Sequence, residues 1–249
     1  MKCFRKWIII FTGTIVNTAA IIGGGIVGLT IKKGLTANMQ ETLMKALGVA
    51  TLFIGLSGAL AKLLIIENDR LQTTGLMLMV FSLVLGTIVG ELIDIEKLLA
   101  SMGDRLKKLL HIKQNNNFAE SFVTVTIVVC VGAMAIIGSL EDGIHNDSTI
   151  LFTKSILDGV IVMIFASTMG VGAVFSAVPL FFYQAGLSLA AVSIAPYLSN
   201  NMLDGLSAVG SVLIFIVGIN LIFGKRMHIR VGNMLPSVLI PIIYYALNV

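Results

Sequence analysis

Lys154 and Asp158 stand four residues apart in the otherwise apolar stretch ILFTKSILDGVIVM. That spacing places both on one face of a helix, one turn apart. A charge held inside hydrocarbon costs about 2.5–3.5 kcal/mol on insertion scales, so each needs a partner. Two readings remain open: an ion pair that ties helices together, and a site for an ion or a proton. Asn17 in TIVNTAA, flanked by Thr14 and Thr18, Ser176, Gln184 in FFYQAGL and Asn220 in IVGINLIF are uncharged polar groups in similar surroundings. Singly, each can hydrogen-bond a neighbouring helix for about 0.6–2 kcal/mol. Jointly, with Ser167 and Thr168, they could line a polar cavity. Asp204 follows Asn200-Asn201 at the start of an apolar run, where it could cap the helix or face an outer vestibule. The expected solute- or ion-binding set is therefore Asn17, Asp158, Ser176, Gln184, Asp204 and Asn220.

Other chemistries find little footing. Gly23, Gly25 and Gly28 spell G-x-G-x-x-G, and Glu41 falls near the distance a ribose-binding acid would take. They lie, however, inside the 24 uncharged residues 8–31, where a dinucleotide fold would need a short strand and then a water-facing helix. Ala20, Gly24 and Gly28 are four apart, the small-residue stripe by which membrane helices approach closely. His111, His145 and His228 are scattered through polar segments, with no HExxH and no GxSxG; Cys3 and Cys130 form no CxxC. Asp158 and Asp204 each precede a glycine, as paired intramembrane catalytic acids could, but neither sits in a protease motif. The sequence thus implies no enzyme and no cofactor, and says nothing of a metal.

The elements that must position these residues are membrane spans. The chain of 249 residues is 57% hydrophobic and 12% charged, against roughly 25% charged in soluble domains, and its mean hydropathy is +0.98. The expected solvent is a lipid bilayer; the net charge of +4 reads as a topology signal rather than a nucleic-acid patch. A helix needs about 20 apolar residues to cross hydrocarbon. Uncharged runs at 8–31, 71–90, 121–140, 159–203, 205–224 and 231–249, with 43–66 and 149–170, give an all-α integral membrane domain of about eight spans. The start, MKCFRKWIIIF, resembles a signal peptide, but apolarity continues unbroken to Ile31, so a retained first span is expected.

The polar loop 94–118 holds Lys97, Arg105, Lys107, Lys108 and Lys113, which places it in the cytoplasm. Lys32, Lys33, Lys225, Arg226 and Arg230 then fall inside. Glu141, Asp142, Asp147 and the N-terminus fall outside, against the charge of Lys2, Arg5 and Lys6. Glu91, Asp94 and Glu96 are expected to be solvated at the cytoplasmic face. The segment 171–203 is long for one span and carries Pro179, Pro196, Gly170, Gly172 and Gly186. It is read as one crossing by a discontinuous helix broken near 183–187, the alternative being a kinked continuous helix.

A shift of 157 brings Gly48 onto Gly205 and GLML at 75–78 onto GNML at 232–235; a shift of 158 brings Gly28-Leu29 onto Gly186-Leu187. SILDGVIV at 155–162 also resembles NMLDGLSA at 201–208. Inverted repeats 8–93 and 171–248, with a helix pair 119–170 between them in one domain 1–249, are expected, a frequent plan of secondary transporters. Gly132, Ile136 and Gly138 suggest a homodimer face.

GTIVN at 13–17, KKGL at 32–35, LFIGLSGAL at 52–60, GIN at 218–220 and GNMLPS at 232–237 resemble the multi-pass bacterial and archaeal membrane proteins of the YqgA and YdfK type, domain of unknown function 554. The likeness runs from about Gly13 to the C-terminus and implies a prokaryotic inner-membrane protein with no established activity. The function expected is that of a secondary transporter or channel-like carrier of a small solute or ion. The alternatives are a membrane sensor or assembly partner, and an intramembrane enzyme.

Overall fold

In lipid every backbone N–H and C=O must find its partner within the protein, so the apolar runs fold as helices. The computed structural model describes residues 11–32, 34, 36–67, 69–109, 118–130 and 133–247. The extension Met1–Ile10, with Cys3, Lys2, Arg5 and Lys6, lies outside the described residues, as do Lys33, His111, Lys113 and Gly132.

The helices are α1 Thr12–Lys32, α2 Ala37–Leu63, α3 Leu76–Ile93, α4 Ile95–Leu109, α5 Phe118–Cys130, α6 Ala133–His145, α7 Thr149–Met169, α8 Ala177–Ile194, α9 Asn200–Phe223, the short turn α10 Val231–Met234, and α11 Ile240–Leu247. A two-stranded antiparallel ribbon, β1 Leu64–Glu67 and β2 Arg70–Thr73, joins α2 to α3. The chain is an all-α integral membrane protein. Among the described residues six helical segments are long and apolar enough to cross a bilayer; a seventh span results if α5 and the Met134–His145 part of α6, bent by 61°, count as one. Val231–Leu247 is a shorter apolar segment, so six or seven full-length spans lie among the described residues. Phe53, Ile156 and Phe182 are 66%, 69% and 71% exposed, which suits side chains facing acyl chains.

The chain packs as two compact units whose segments interleave in sequence. In the first (Met1–Leu43, Ala100–Cys130 and Met134–Pro196), α1 and α7 run parallel in backbone contact. Gly13 meets Leu151, Gly24 meets the Gly159 carbonyl, and Gly28 meets the Met163 carbonyl. Lys32 Nζ then donates to Thr168 O at 3.0 Å, an end of α7 whose last carbonyls lack intrahelical donors. The glycines of the would-be nucleotide fingerprint are thus all helical, and the Ala20–Gly24–Gly28 stripe seats α7. α8 and the turns before it (Val171–Ser176) cross α1 in the opposite sense, with Gln184 beside Asn17 and Val174 against Gly25. Asp142, fully buried, accepts from Gly13 N at 3.2 Å and Ser148 Oγ at 2.5 Å, holding the first turn of α1. Exposed Asp147 accepts from the Thr149 side chain and amide, which hold its carboxyl below the usual range. Gly138 packs on Ile150 and Leu151, so that part of the expected dimer face is covered within its own unit.

In the second unit (Met44–Leu99, Val131–Ala133 and Tyr197–Val249), α2 and α9 are antiparallel. Gly48 packs on Gly218 and Ile222, Gly55 on Ser211 and Phe215, and Lys62 pairs with Asp204. α3 lies antiparallel to the C-terminal segment: Gly86 meets Ser237, and Gly90 meets the carbonyl of Asn233.

Three expectations are corrected. α8 runs unbroken through Tyr183 and Gly186, because Pro179 lies in its first turn, where no intrahelical amide is needed. The irregular backbone lies earlier, at Gly170 (φ 98°) and the 3-10 turns Val171–Ser176. The expected cytoplasmic loop is largely helix α4, since Leu98, Leu99, Met102 and Leu106 recur at helical spacing. The apolar run into Ile66 ends as strand rather than helix, turning at Asp69 in the left-handed region (φ 56°).

Candidate functional site

Asn17 projects from the middle of α1, on the stripe that continues through Ala20, Gly24 and Gly28. Asp158 stands next to Gly159 on α7, so the close approach of the two backbones brings amide and carboxylate together. Asn17 Nδ2 donates to Asp158 Oδ2 at 3.0 Å, with Gln184 Oε1 on α8 at 3.4 Å. Lys154 Nζ reaches both oxygens of Asp158, at 2.7 and 2.6 Å. All four side chains are buried: Asn17 and Gln184 fully, Lys154 and Asp158 to 7% and 4% exposure.

Lys154 has one further partner. Its Nζ donates to Val129 O at 2.8 Å, in the last turn of α5, just before the bend into α6. Carbonyls there lack intrahelical donors, and a cation favours the negative end of the helix dipole. The end of α5 and the buried charge of α7 are therefore joined at one ammonium group. The carboxylate accepts three hydrogen bonds, yet Asn17 Oδ1 and Gln184 Nε2 are buried without partners among the described residues, as is Thr14 Oγ1 one turn before Asn17. An orphaned buried polar atom costs about 1–3 kcal/mol, and two of them meet at one cluster.

The remaining expected residues lie elsewhere. Ser176 Oγ donates to Ala173 O at 2.7 Å within its own 3-10 turn. Asp204 is not a cap: Ser199 is, accepting from Met202 N at 3.3 Å. Asp204 pairs instead with Lys62 at 2.6 Å, half-exposed, on the wall of a cavity of about 270 Å³ in the second unit that also meets Thr74, Asn201 and Tyr245. Asn220 uses both edges of its amide on one backbone residue, donating to Ile229 O at 2.7 Å and accepting from Ile229 N at 2.9 Å. It staples the turn between α9 and α10. Ser167 and Thr168 donate to carbonyls of their own helix.

Two of the acids expected to be solvated, Glu91 and Glu96, have side-chain partners. Glu91 pairs with Arg230 at 2.5 Å. Glu96 accepts from Gly232 N at 3.0 Å and lies 3.1 Å from His228 Nε2. Asn233 Oδ1 accepts from Glu96 N at 2.7 Å, which places GNMLPS against the end of α3. Among the described residues no group of three or more His, Cys, Asp or Glu is placed to hold a metal ion.

The family model described as a protein of unknown function (DUF554) matches residues 12–246. The chain is 31% identical over 229 residues to the "Uncharacterized membrane protein YdfK" of Bacillus subtilis (strain 168), covering 92% of this chain and 93% of that protein. It is 29% identical over 232 residues to the "Uncharacterized protein YqgA" of Escherichia coli (strain K12), with the same coverage of each. No solved structure matches.

Proposed function

We propose that this chain, which belongs to the DUF554 family of proteins of unknown function, is a secondary transporter or channel-like carrier that moves a small solute or ion across the cytoplasmic membrane of a prokaryotic cell. One observation carries the reading: the ion pair Lys154–Asp158 is buried among membrane helices together with Asn17 and Gln184, and two polar atoms of that cluster have no partner. Charges at such depth are costly and, in membrane proteins, mark pathways and relays. The bent pair α5 and α6 adds support, because broken helices are tolerated where they line a site. A sensor or assembly partner, the competing reading, would gain most from an interior in which every polar side chain is paired.

Inverted repetition is part of the proposal. The pairs α1 with α8, α2 with α9, and α3 with Val231–Leu247 are each antiparallel within their unit. Under the 158-residue shift the Asn17–Gln184 contact maps onto Ile26–Phe175, one residue from the observed Gly25–Val174 packing. Under the 157-residue shift Gly48–Gly218 maps onto Ala61–Gly205, beside the Lys62–Asp204 pair.

The test is electrophysiology on solid-supported membranes carrying the purified protein, challenged with inorganic ions, carboxylates and amino acids in turn. A transient current for one class, lost in Gln184→Leu while the protein remains folded, is the expected result. No current and no thermal stabilisation with any of these solutes would overturn the reading.

A further inference from the structure

We infer that Asp158 is the proton-binding group of this carrier, with Lys154 as its tethered counter-charge and Asn17 as the side chain that passes its protonation state to Gln184 on α8. The inference rests on the carrier reading above and names its coupling ion.

Space argues first. Asp158 is in hydrogen-bond contact with Lys154 and Asn17. On one side of Asn17, α1 and α7 touch at Gly13 against Leu151; on the other, glycine meets backbone carbonyl at Gly24 and Gly28. A proton is the cation that enters such a cluster without needing volume. Charge argues next. α1 brings no ionisable group to the pair, its residues from Thr12 to Ile31 being uncharged. α5 brings Cys130, and α8 brings Tyr183 beside Gln184; thiol and phenol both titrate on the alkaline side. Lys154 is the one cation of α7 in contact with the carboxylate.

Hydrogen-bond accounting supplies the relay. With Asp158 ionised, Asn17 must present its NH₂, since a carboxylate only accepts. This leaves Asn17 Oδ1 and Gln184 Nε2 unused. When one proton binds Asp158, the acid gains an O–H that donates. A half-turn of the Asn17 amide then offers Oδ1 to that O–H, and places it opposite Gln184 Oε1, acceptor against acceptor at 3.4 Å. Gln184 turns in response and donates through Nε2 to the same Oδ1. One proton thus reverses the polarity of the link between α1 and α8. Lys154 keeps its own protons and its bond to Val129 O, so the cluster passes from neutral to a single positive charge.

The test uses the full chain, purified, with protons as the probe. Infrared difference spectra between acid and alkaline pH should contain the C=O band of a protonated carboxylic acid that is lost in Asp158→Asn, together with amide changes that are lost in Gln184→Leu. Because Asp158→Asn strands Lys154, the doubly neutral variant Lys154→Gln/Asp158→Asn is measured beside it, and its loss of the same band with an intact thermal transition is the expected result. An unchanged band in both variants would overturn the inference. A current that survives with its pH dependence in the neutral pair would overturn it while leaving the carrier reading in place. An Asp158 band with neither current nor thermal stabilisation for any solute would uphold the proton site and sink the carrier reading instead.

Discussion

Neighbouring glycines on α1 should respond in opposite directions to the same methyl group. A Cβ at Gly24 would overlap the Gly159 carbonyl, with its carbon at 2.9 Å, whereas a Cβ at Gly23 meets nothing within 4 Å. At Gly24 the atom in the way is backbone, which cannot swing aside, so α1 and α7 must part. Overpacking of this kind costs about 1–3 kcal/mol. At Gly23 the change removes backbone freedom from the unfolded chain and adds a better helix former, worth about 0.5–1 kcal/mol in the stabilising direction. The two variants should therefore differ by about 1.5–4 kcal/mol. For a chain of this length that corresponds to about 3–16 °C, taking about 2–4 °C per kcal/mol. The assay is thermal unfolding in detergent of Gly23→Ala and Gly24→Ala, with Gly28→Ala as a second crowded site facing Met163 O and Ala166. Moving α7 would also stretch the Asn17–Asp158 bond, so Gly24→Ala should reduce any current that Gln184→Leu abolishes. Equal melting temperatures for Gly23→Ala and Gly24→Ala would refute the close-packed α1–α7 interface.

Ser199→Ala, which removes the cap of α9, should cost about 1 kcal/mol, while Asp204→Asn should leave the helix start intact; chemical denaturation separates the two. A double-mutant cycle on Lys62 and Asp204, both half-exposed, should yield a coupling below about 1 kcal/mol, shrinking further in high salt. Asn220→Ala removes two hydrogen bonds to Ile229 and should speed amide exchange across 224–231, at a cost of about 1–3 kcal/mol. Lys154→Met should destabilise by about 3–5 kcal/mol, because it leaves Asp158 buried without its counter-charge. Replacing Asp158 by Leu as well should recover most of that loss in the same melt.

Much of the cluster was legible because hydrophobic surroundings make polar residues conspicuous. Asn17, Asp158 and Gln184 stood out as polar groups in apolar runs, and the four-residue spacing to Lys154 announced a shared helix face. The fifth member, Val129 O, is not legible, since a main-chain carbonyl leaves no mark in a string of side chains. Proline and glycine crowd around Tyr183–Gly186 and point to a break there. Pro179, however, falls in the first turn of α8, and Gly186 has open space around it, so neither interrupts the ladder. The bend between α5 and α6 has no proline to advertise it. Asn220 and Ser176 were plausible on the same grounds as Asn17; backbone geometry alone decided that one staples a turn and the other closes on its own helix.

Val129 is translated before Lys154, which the ribosome reaches 25 residues later. Until α7 inserts, the last carbonyls of α5 have hydrocarbon or a neighbouring chain for company and no ammonium to bond. Burying such a group unbonded costs several kcal/mol. Synthesis therefore completes α5 before the cation that bonds its last turn has been made, and the Lys154–Val129 contact closes only after α7 has followed it.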